Sequence, residues 1–350
     1  MIMCTTIISH FILYAPYGLK KDMYHGTFPA IIIALLVSSA NAYMTIYVYN
    51  TYKNNNLLDI NKILLGKFLG GLLSIFNIAG NLVIGFFMYR GLLEIIKRFM
   101  LPATSMWALA VTLVFIFYIG TLNSNKSFLA ALGFISLFVM FWSVIYILLG
   151  TKPFHMYYAK AAFIHSFQIP NLMKIGTACF YFTGVSHLSL FNPEFSKIST
   201  KNTILVYIFV GTTTAILAIY FPAGMLGPYL MQKVQLTVIS AADTIGVDLF
   251  VIERGTYILL PMVFLLGASD MIIWAFVGWG LIRTAIPNRK INLPIFLVIS
   301  ILYIVSAALM KNSAQLLEIG SIAITGVLFY HYLLFIILFV FTKLKKDKNL

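Results

Sequence analysis

The chain has 350 residues, of which 61% are hydrophobic and only 10% are charged. Soluble domains carry about a quarter charged residues, because a surface that faces water needs charge. This composition excludes an ordinary soluble domain. The 24 Lys and Arg residues exceed the 10 Asp and Glu residues, but no nucleic-acid-binding motif accompanies them. We therefore expect no nucleic-acid partner and attribute the excess to loops on the cytoplasmic side of a bilayer.

Apolar stretches long enough to cross a bilayer recur along the whole chain. A spanning helix needs roughly 20 mostly apolar residues, and such stretches cover residues 1–19, 27–49, 66–96, 101–121, 127–150, 170–191, 203–221, 255–282, 293–310 and 318–342. We predict an all-α integral membrane protein of about ten transmembrane helices that forms a single domain over residues 1–350. Both termini are expected inside, because the even-to-odd loops and the basic tail at 343–350 hold the larger share of Lys and Arg.

Two connections are longer than the others. Residues 151–169 carry several aromatic residues and two histidines, which predicts an amphipathic helix at the membrane interface. Residues 222–254 are too polar to span and too apolar to form a free linker, so they are expected to pack along the membrane surface. Cys4 and Cys179 lie in apolar segments and are predicted to be free thiols rather than a disulfide or a metal site.

The first and sixth stretches carry polar and helix-breaking residues at matching places, which is typical of transporters built from two inverted five-helix repeats. An unwound segment has free backbone N–H and C=O groups that hydrocarbon cannot satisfy, so it persists only against protein or a wet cavity. We predict repeats over about 1–150 and 170–343, with a ligand site between the two interruptions. The candidate ligand-binding residues are Ser9, His10, Tyr14, Thr183, Gly184, Ser186 and His187. Pro16 and Gly18 are expected to break the first stretch a second time.

Alternatives remain open at this site. Single kinks are common in membrane helices, and His10 and His187 can each be satisfied by a neighbouring helix instead of a ligand. Asp270 lies in the middle of the eighth stretch, where a charge costs about 2.5 kcal/mol or more. It indicates either a cation or proton site, or a neutral, hydrogen-bonded structural carboxylate.

Other patterns carry no sign of enzymatic chemistry. Arg90 and Glu94 are four residues apart on one helix face, and we interpret them as a structural pair. Hydrolase, kinase, metal and cofactor motifs are not found in the sequence. We therefore expect a protein that is not an enzyme and that holds neither a metal nor a cofactor.

Several short motifs, taken in order, resemble one family. They are Leu65-Gly66-Lys67-Phe68-Leu69-Gly70, Leu101-Pro102-Ala103-Thr104, Gly184 followed by Pro193, and Phe250-Val251-Ile252-Glu253-Arg254. In this arrangement the chain resembles the B subunits of spore germination receptors, a branch of the amino acid–polyamine–organocation transporter superfamily. The resemblance extends over nearly the whole chain.

The resemblance implies a ten-helix transporter-like bundle, A-type and C-type (lipoprotein) partner subunits, and residence in the spore inner membrane of a bacterium. It also implies recognition of a small germinant such as an amino acid or a nucleoside. Gly184 is carried over as the helix break, and Glu253 and Arg254, with Pro16 and Pro102, as structural or coupling residues. The family commonly has Gly-Glu in the sixth span, whereas this chain has Gly184-Val185, so an acidic ligand for an amine is absent there.

Three functions compete at this point. The first is a receptor subunit that binds a germinant and signals to its partners. The second is a working permease for an amino acid or a similar solute. The third is an assembly subunit with a vestigial cavity. The family's first span has a longer lead-in before its unwound stretch, whereas Ser9-His10 follows only eight residues here, so the first half-helix is expected to be short. This short half-helix and the absent glutamate favour the receptor.

Overall fold

The computed structural model describes residues 2–21, 23–249, 252–310 and 312–347, and this part of the chain is almost entirely helical. The helices are α1 (Ile2–Ser9), α2 (Tyr14–Lys20), α3 (Thr27–Thr51), α4 (Leu57–Ile95), α5 (Met106–Thr121), α6 (Asn125–Gly150), α7 (Met156–Ile164), α8 (Leu172–Cys179), α9 (Leu188–Phe191), α10 (Thr200–Val206), α11 (Thr212–Leu226), α12 (Pro228–Lys233), α13 (Thr237–Ala242), α14 (Gly255–Ala285), α15 (Arg289–Leu309) and α16 (Ser313–Asp347). Two short strands, β1 (Gly246–Leu249) and β2 (Ile252–Arg254), pair antiparallel.

Seven helices among the described residues are long and apolar enough to cross a membrane. They are Thr27–Thr51, Leu57–Met100, Asn125–Gly150, Thr200–Leu226, Gly255–Ala285, Lys290–Leu309 and Ser313–Lys346. The prediction of an all-α, multi-pass membrane protein is therefore confirmed. The other three predicted spans consist of shorter helices: α1 and α2, α5, and α8 with the irregular turns after it. The count of ten spans and the five-plus-five repeat stay predictions.

The third predicted span begins earlier than expected, because a kink joins two helical pieces. The Asn56 side chain accepts a hydrogen bond from the Asp59 N–H at 3.1 Å and so caps α4. Within α4, Gly66 adopts φ 78° and ψ 176°, a conformation essentially restricted to glycine. The kink brings Gly70 against the backbone of Asn61, where a Cβ on Gly70 would lie 2.5 Å from the Asn61 carbonyl oxygen. The glycines of this motif therefore shape the start of the span.

The structure confirms the helix predicted in the first long connection and corrects the boundary predicted for the second. In the first, residues 156–164 form the predicted helix, α7, with Tyr157 exposed, and its interfacial position stays a prediction. In the second, the expected boundary at 222 is wrong, because α11 continues through Pro222 to Leu226; membrane helices tolerate proline where neighbouring groups satisfy the freed carbonyl. Residues 250 and 251 lie outside the described residues, as do the side chains of Glu253 and Arg254, so the predicted pairing of these two falls outside the description too.

The helix α14 forms the centre of the molecule. In its most apolar window 67% of the residues are buried, compared with 28 to 44% in the other six long helices. It packs against α1, α4, α5, α6 and α13. A charged residue on α14 therefore faces protein rather than lipid, and Asp270 lies on this helix with 1% exposure.

Candidate functional site

The first helix is interrupted once. α1 ends at Ser9, residues 10–13 are turns and bends, and α2 begins at Tyr14. The Ser9 hydroxyl donates to the Thr6 carbonyl at 2.7 Å, which closes the end of α1. The expected second break at Pro16 and Gly18 is wrong, because both lie within α2. Pro16 is in the first turn, where its missing N–H has no helical partner to lose.

The sixth predicted span is interrupted over residues 180–187. α8 ends at Cys179, and two 3₁₀ turns, Phe180–Phe182 and Gly184–His187, lead into the short α9. Gly184 has no left-handed backbone. Instead, a Cβ on Gly184 would lie 2.8 Å from the Met3 Cβ and 2.9 Å from the Met3 Cα. The glycine is required for the close approach of α1 rather than for opening the helix.

The two interruptions meet at His10. Its Nδ1 lies 2.7 Å from the Phe180 carbonyl oxygen, and its ring stacks on the Phe180 ring with the centroids 3.7 Å apart. A carbonyl oxygen only accepts hydrogen bonds, so Nδ1 carries a proton and donates it. The contact ties the first break to the second and fixes the orientation of the imidazole.

The other ring nitrogen of His10 faces Asp270. The His10 Nε2 lies 3.3 Å from the Asp270 Oδ1, with both side chains at most 2% exposed. Within the part of the chain that the structure describes, neither of these two atoms makes a hydrogen bond. The contact brings the first break against α14, and a buried carboxyl that lost this neighbour would be costly.

Next to this pair lies a group of buried polar atoms that lack hydrogen bonds. Among the described residues, both ring nitrogens of His187 and the Trp274 Nε1 are buried without a hydrogen-bond partner. The His187 ring packs edge-on against Trp274, with the centroids 4.4 Å apart, and the Trp274 ring stacks on Phe180 at 6.4 Å. Buried polar groups almost always have partners. Such a set indicates a place where a ligand or ordered water supplies them.

The site consists of histidine nitrogens, one carboxyl and aromatic rings. Within the part of the chain that the structure describes, no group of three or more His, Cys, Asp or Glu side chains is placed to hold a metal ion. The site offers the hydrogen-bonding nitrogens of His187 and Trp274 beside aromatic rings. These properties suit a small polar organic molecule.

The predicted site residues fall into two groups. His10, His187 and Asp270 come together as described, whereas Tyr14 and Thr183 use their hydroxyls on backbone carbonyls. The Tyr14 hydroxyl donates to Phe87 at 2.6 Å, and the Thr183 hydroxyl donates to Phe180 at 3.1 Å. Ser186 is buried within the second 3₁₀ turn. Hydroxyls bonded in this way hold the interruptions in shape.

Sequence reasoning missed two contributors: Phe180 and Trp274. Trp274 is four residues after Asp270 and so lies on the same face of α14, a spacing that could have identified it. Phe180 acts through its backbone carbonyl and its ring. The sequence does not indicate which backbone carbonyl will accept a hydrogen bond from a side chain.

Arg90 and Glu94 form a further ion pair in the described part of the chain. Arg90 Nη1 lies 2.9 Å from the Glu94 Oε2, which confirms the predicted pairing. Arg90 also donates to the Met310 carbonyl at 2.7 Å, and Ser313 donates to Glu94 at 2.6 Å. The pair thus ties α4 to the junction between α15 and α16. Pro102 lies in the exposed turn before α5, where its carbonyl accepts from Lys97 at 2.6 Å.

Fold and site together define a multi-pass, permease-like membrane protein with a polar centre between two interrupted helices. A family model described as "Spore germination protein" matches residues 1–316, nearly the whole chain. The chain therefore belongs to the spore germination protein family, which is part of the amino acid–polyamine–organocation permease group and is not an enzyme class. No curated protein matches the chain.

Proposed function

We propose that this protein is the B subunit of a spore germinant receptor, located in the spore inner membrane. It binds a small germinant, an amino acid or a nucleoside, between the two interrupted helices and signals with A-type and C-type (lipoprotein) partner subunits. The observation that carries the proposal is the convergence of both interruptions on His10, next to buried polar groups of His187 and Trp274 that lack partners. Membership of the spore germination family supports it.

Signalling needs two states of the bundle that bind the ligand differently. In the state described here, the contacts of His10 with Phe180 and with Asp270 link the two breaks to α14. A ligand that takes hydrogen bonds from His187 and Trp274 would favour a different spacing of these elements. The rearrangement of α1 and α8 would then reach the partner subunits.

A second candidate is a proton-coupled permease for the same class of solute. The buried contact between His10 and Asp270 favours it, because transport of a solute with a proton needs buried groups that can take up and release one. Transporters of this architecture bind the substrate near the bilayer midplane and rock one repeat against the other. The same site would then serve transport rather than signalling.

Deletion of the gene separates these two functions. We expect spores without the protein to lose germination in response to one class of small nutrients, whereas uptake of the same nutrients by growing cells is unchanged. Complementation by the wild-type gene is the control. Lost uptake with intact germination would replace the receptor with the permease.

A further inference from the structure

The kinked start of α4 brings together positive charges that the central site does not use. Lys62 lies before the kink at Gly66 and Lys67 lies directly after it, and both side chains are exposed. A Cβ on Gly70 would lie 2.9 Å from the Lys62 backbone nitrogen, so the first piece of α4 folds back onto the turn that begins with Lys67. On an unbroken helix, five positions would turn the two lysines about 140° apart. The kink therefore brings them close together.

The end of α16 adds a third lysine at the same place. The Lys345 Nζ donates to the Ile63 carbonyl oxygen at 3.4 Å, and Ile63 is the residue next to Lys62. The Lys345 side chain is exposed too. Among the residues that the structure describes, none of these three lysines forms an ion pair with a carboxylate. We call Lys62, Lys67 and Lys345 the basic patch. Three like charges close together attract an anion.

Buried hydrogen bonds hold the backbone under the basic patch. The Asn61 Nδ2 donates to the Ser74 hydroxyl oxygen at 3.1 Å, and the Ser74 hydroxyl donates to the Gly70 carbonyl at 2.6 Å. Asn61, Gly70 and Ser74 are all buried. The bend itself is open on its outer side, because a Cβ on Gly66 would meet nothing within 4 Å. The patch thus combines a fixed backbone with free space for a ligand.

An exposed apolar face begins directly after the basic patch. Phe68, Leu72 and Ile75 are 83%, 45% and 64% exposed, and their spacing of four and three residues puts them on one side of α4. They belong to a helix that is long and apolar enough to cross a membrane, so this face contacts lipid. Lys67 precedes the face and lies at the level of the headgroups, which lysines at helix ends reach. Acyl chains along this face have their phosphate next to the basic patch.

We propose that the basic patch binds the headgroup of an anionic phospholipid, whose acyl chains lie along Phe68, Leu72 and Ile75. Each lysine near a bilayer surface strengthens the attraction to anionic lipid about fivefold. The exposed apolar face favours a lipid over an acidic segment of a partner protein, because acyl chains cover such a face and an acidic segment does not. This inference goes beyond the proposed function, since it requires neither a germinant nor a partner subunit.

The test titrates dioleoylphosphatidylglycerol into the purified full-length protein in detergent and follows the temperature of thermal unfolding. We expect this lipid to raise the unfolding temperature, because it binds the folded protein, and dioleoylphosphatidylcholine to raise it much less. The variant with Lys62→Gln, Lys67→Gln and Lys345→Gln should need at least about a 10-fold higher concentration of phosphatidylglycerol for the same rise. Arginine at the same three positions keeps the charges and should preserve the wild-type response. If the glutamine variant unfolds without lipid, the three single variants decide, each with an expected loss of about fivefold.

The matched control removes three other exposed lysines, Lys126, Lys197 and Lys201, and so changes the net charge equally. We expect it to keep the wild-type response to phosphatidylglycerol. Equal weakening in both triple variants would reduce the effect to general attraction by a basic protein and would overturn the proposal. An unchanged response of the glutamine variant would overturn it too. Stabilisation by a hexaglutamate peptide instead of the lipid would point to an acidic partner protein. Equal stabilisation by inorganic phosphate would leave the acyl chains without a role, and either of these results contradicts the proposal.

Discussion

A graded substitution at Gly184 tests whether contact between the two interrupted helices is required for function. A methyl group at this position would lie 2.9 Å from the Met3 Cα and 2.8 Å from the Met3 Cβ. Carbon atoms attract from roughly 3.5 Å, so the overlap is about 0.6 Å with atoms that cannot rotate away. Either α1 or the 3₁₀ turn has to move.

The cost follows from this overlap. Overfilling a well-packed interior destabilises by about 1–3 kcal/mol, which corresponds to about a 5- to 150-fold change in an equilibrium constant. We expect Gly184→Ala to lower both the thermal stability and the response to germinant. Gly184→Leu should abolish the response although the protein still inserts into the membrane.

The assay combines germinant response, protein level by immunoblot, and thermal unfolding in detergent. Gly326→Ala is the matched control, because a Cβ at Gly326 meets nothing within 4 Å. We expect this variant to behave like the wild type. A normal response from Gly184→Leu at normal protein level would refute the reasoning that the two breaks form one site.

Three further substitutions test the contact of His10 with Asp270 and the kinked start of α4. His10→Phe leaves the Asp270 carboxyl buried without its partner, so we expect it to lower the free energy of unfolding by about 3–5 kcal/mol. Asp270→Asn keeps a donor toward the His10 Nε2 and should cost no more than about 1 kcal/mol, yet alter the pH dependence of the response; an unchanged profile would make Asp270 purely structural. Gly66→Ala should destabilise by about 1–3 kcal/mol, because only glycine adopts its backbone conformation readily. The control is Gly71→Ala, because a methyl group there has open space around it. Equal stability of Gly66→Ala and Gly71→Ala would contradict the claim that Gly66 is needed for the kink.

The lengths of the apolar stretches in the sequence predicted most of the fold. Stretches such as 127–150 and 255–282 match α6 and α14 within a few residues, because a helix in hydrocarbon must satisfy its own backbone and therefore runs the full apolar length. The errors lie where tertiary contacts decide the backbone. Pro222 was expected to end a span but lies within α11, and the kink at Gly66 extends α4 to Leu57 by folding the first piece back on the second.

The site was predictable only in part. The free-energy cost of a charge in hydrocarbon identified Asp270. The polar residues at matching places of the first and sixth stretches identified His10 and His187. That His10 contacts Asp270 could not be read from the sequence, since 260 positions separate the two and only the packing of α14 joins them. The role of Gly184 was also misjudged, because a close helix contact and a flexible break both require glycine. The role of the Phe180 carbonyl could not be predicted, because every residue type has the same backbone carbonyl.

The central claim is that a small ligand binds among the buried polar groups beside His187. Replacing His187 with phenylalanine removes two unpartnered nitrogens at similar size, so stability should be unchanged or slightly higher. The decisive measurement profiles spores that carry only this receptor against a panel of amino acids and nucleosides, with wild-type protein, His187→Phe and the exposed control His155→Phe. We predict that one nutrient class triggers wild-type and control spores, and that His187→Phe loses this response at equal protein level and equal unfolding temperature. An unchanged response from His187→Phe would contradict the account.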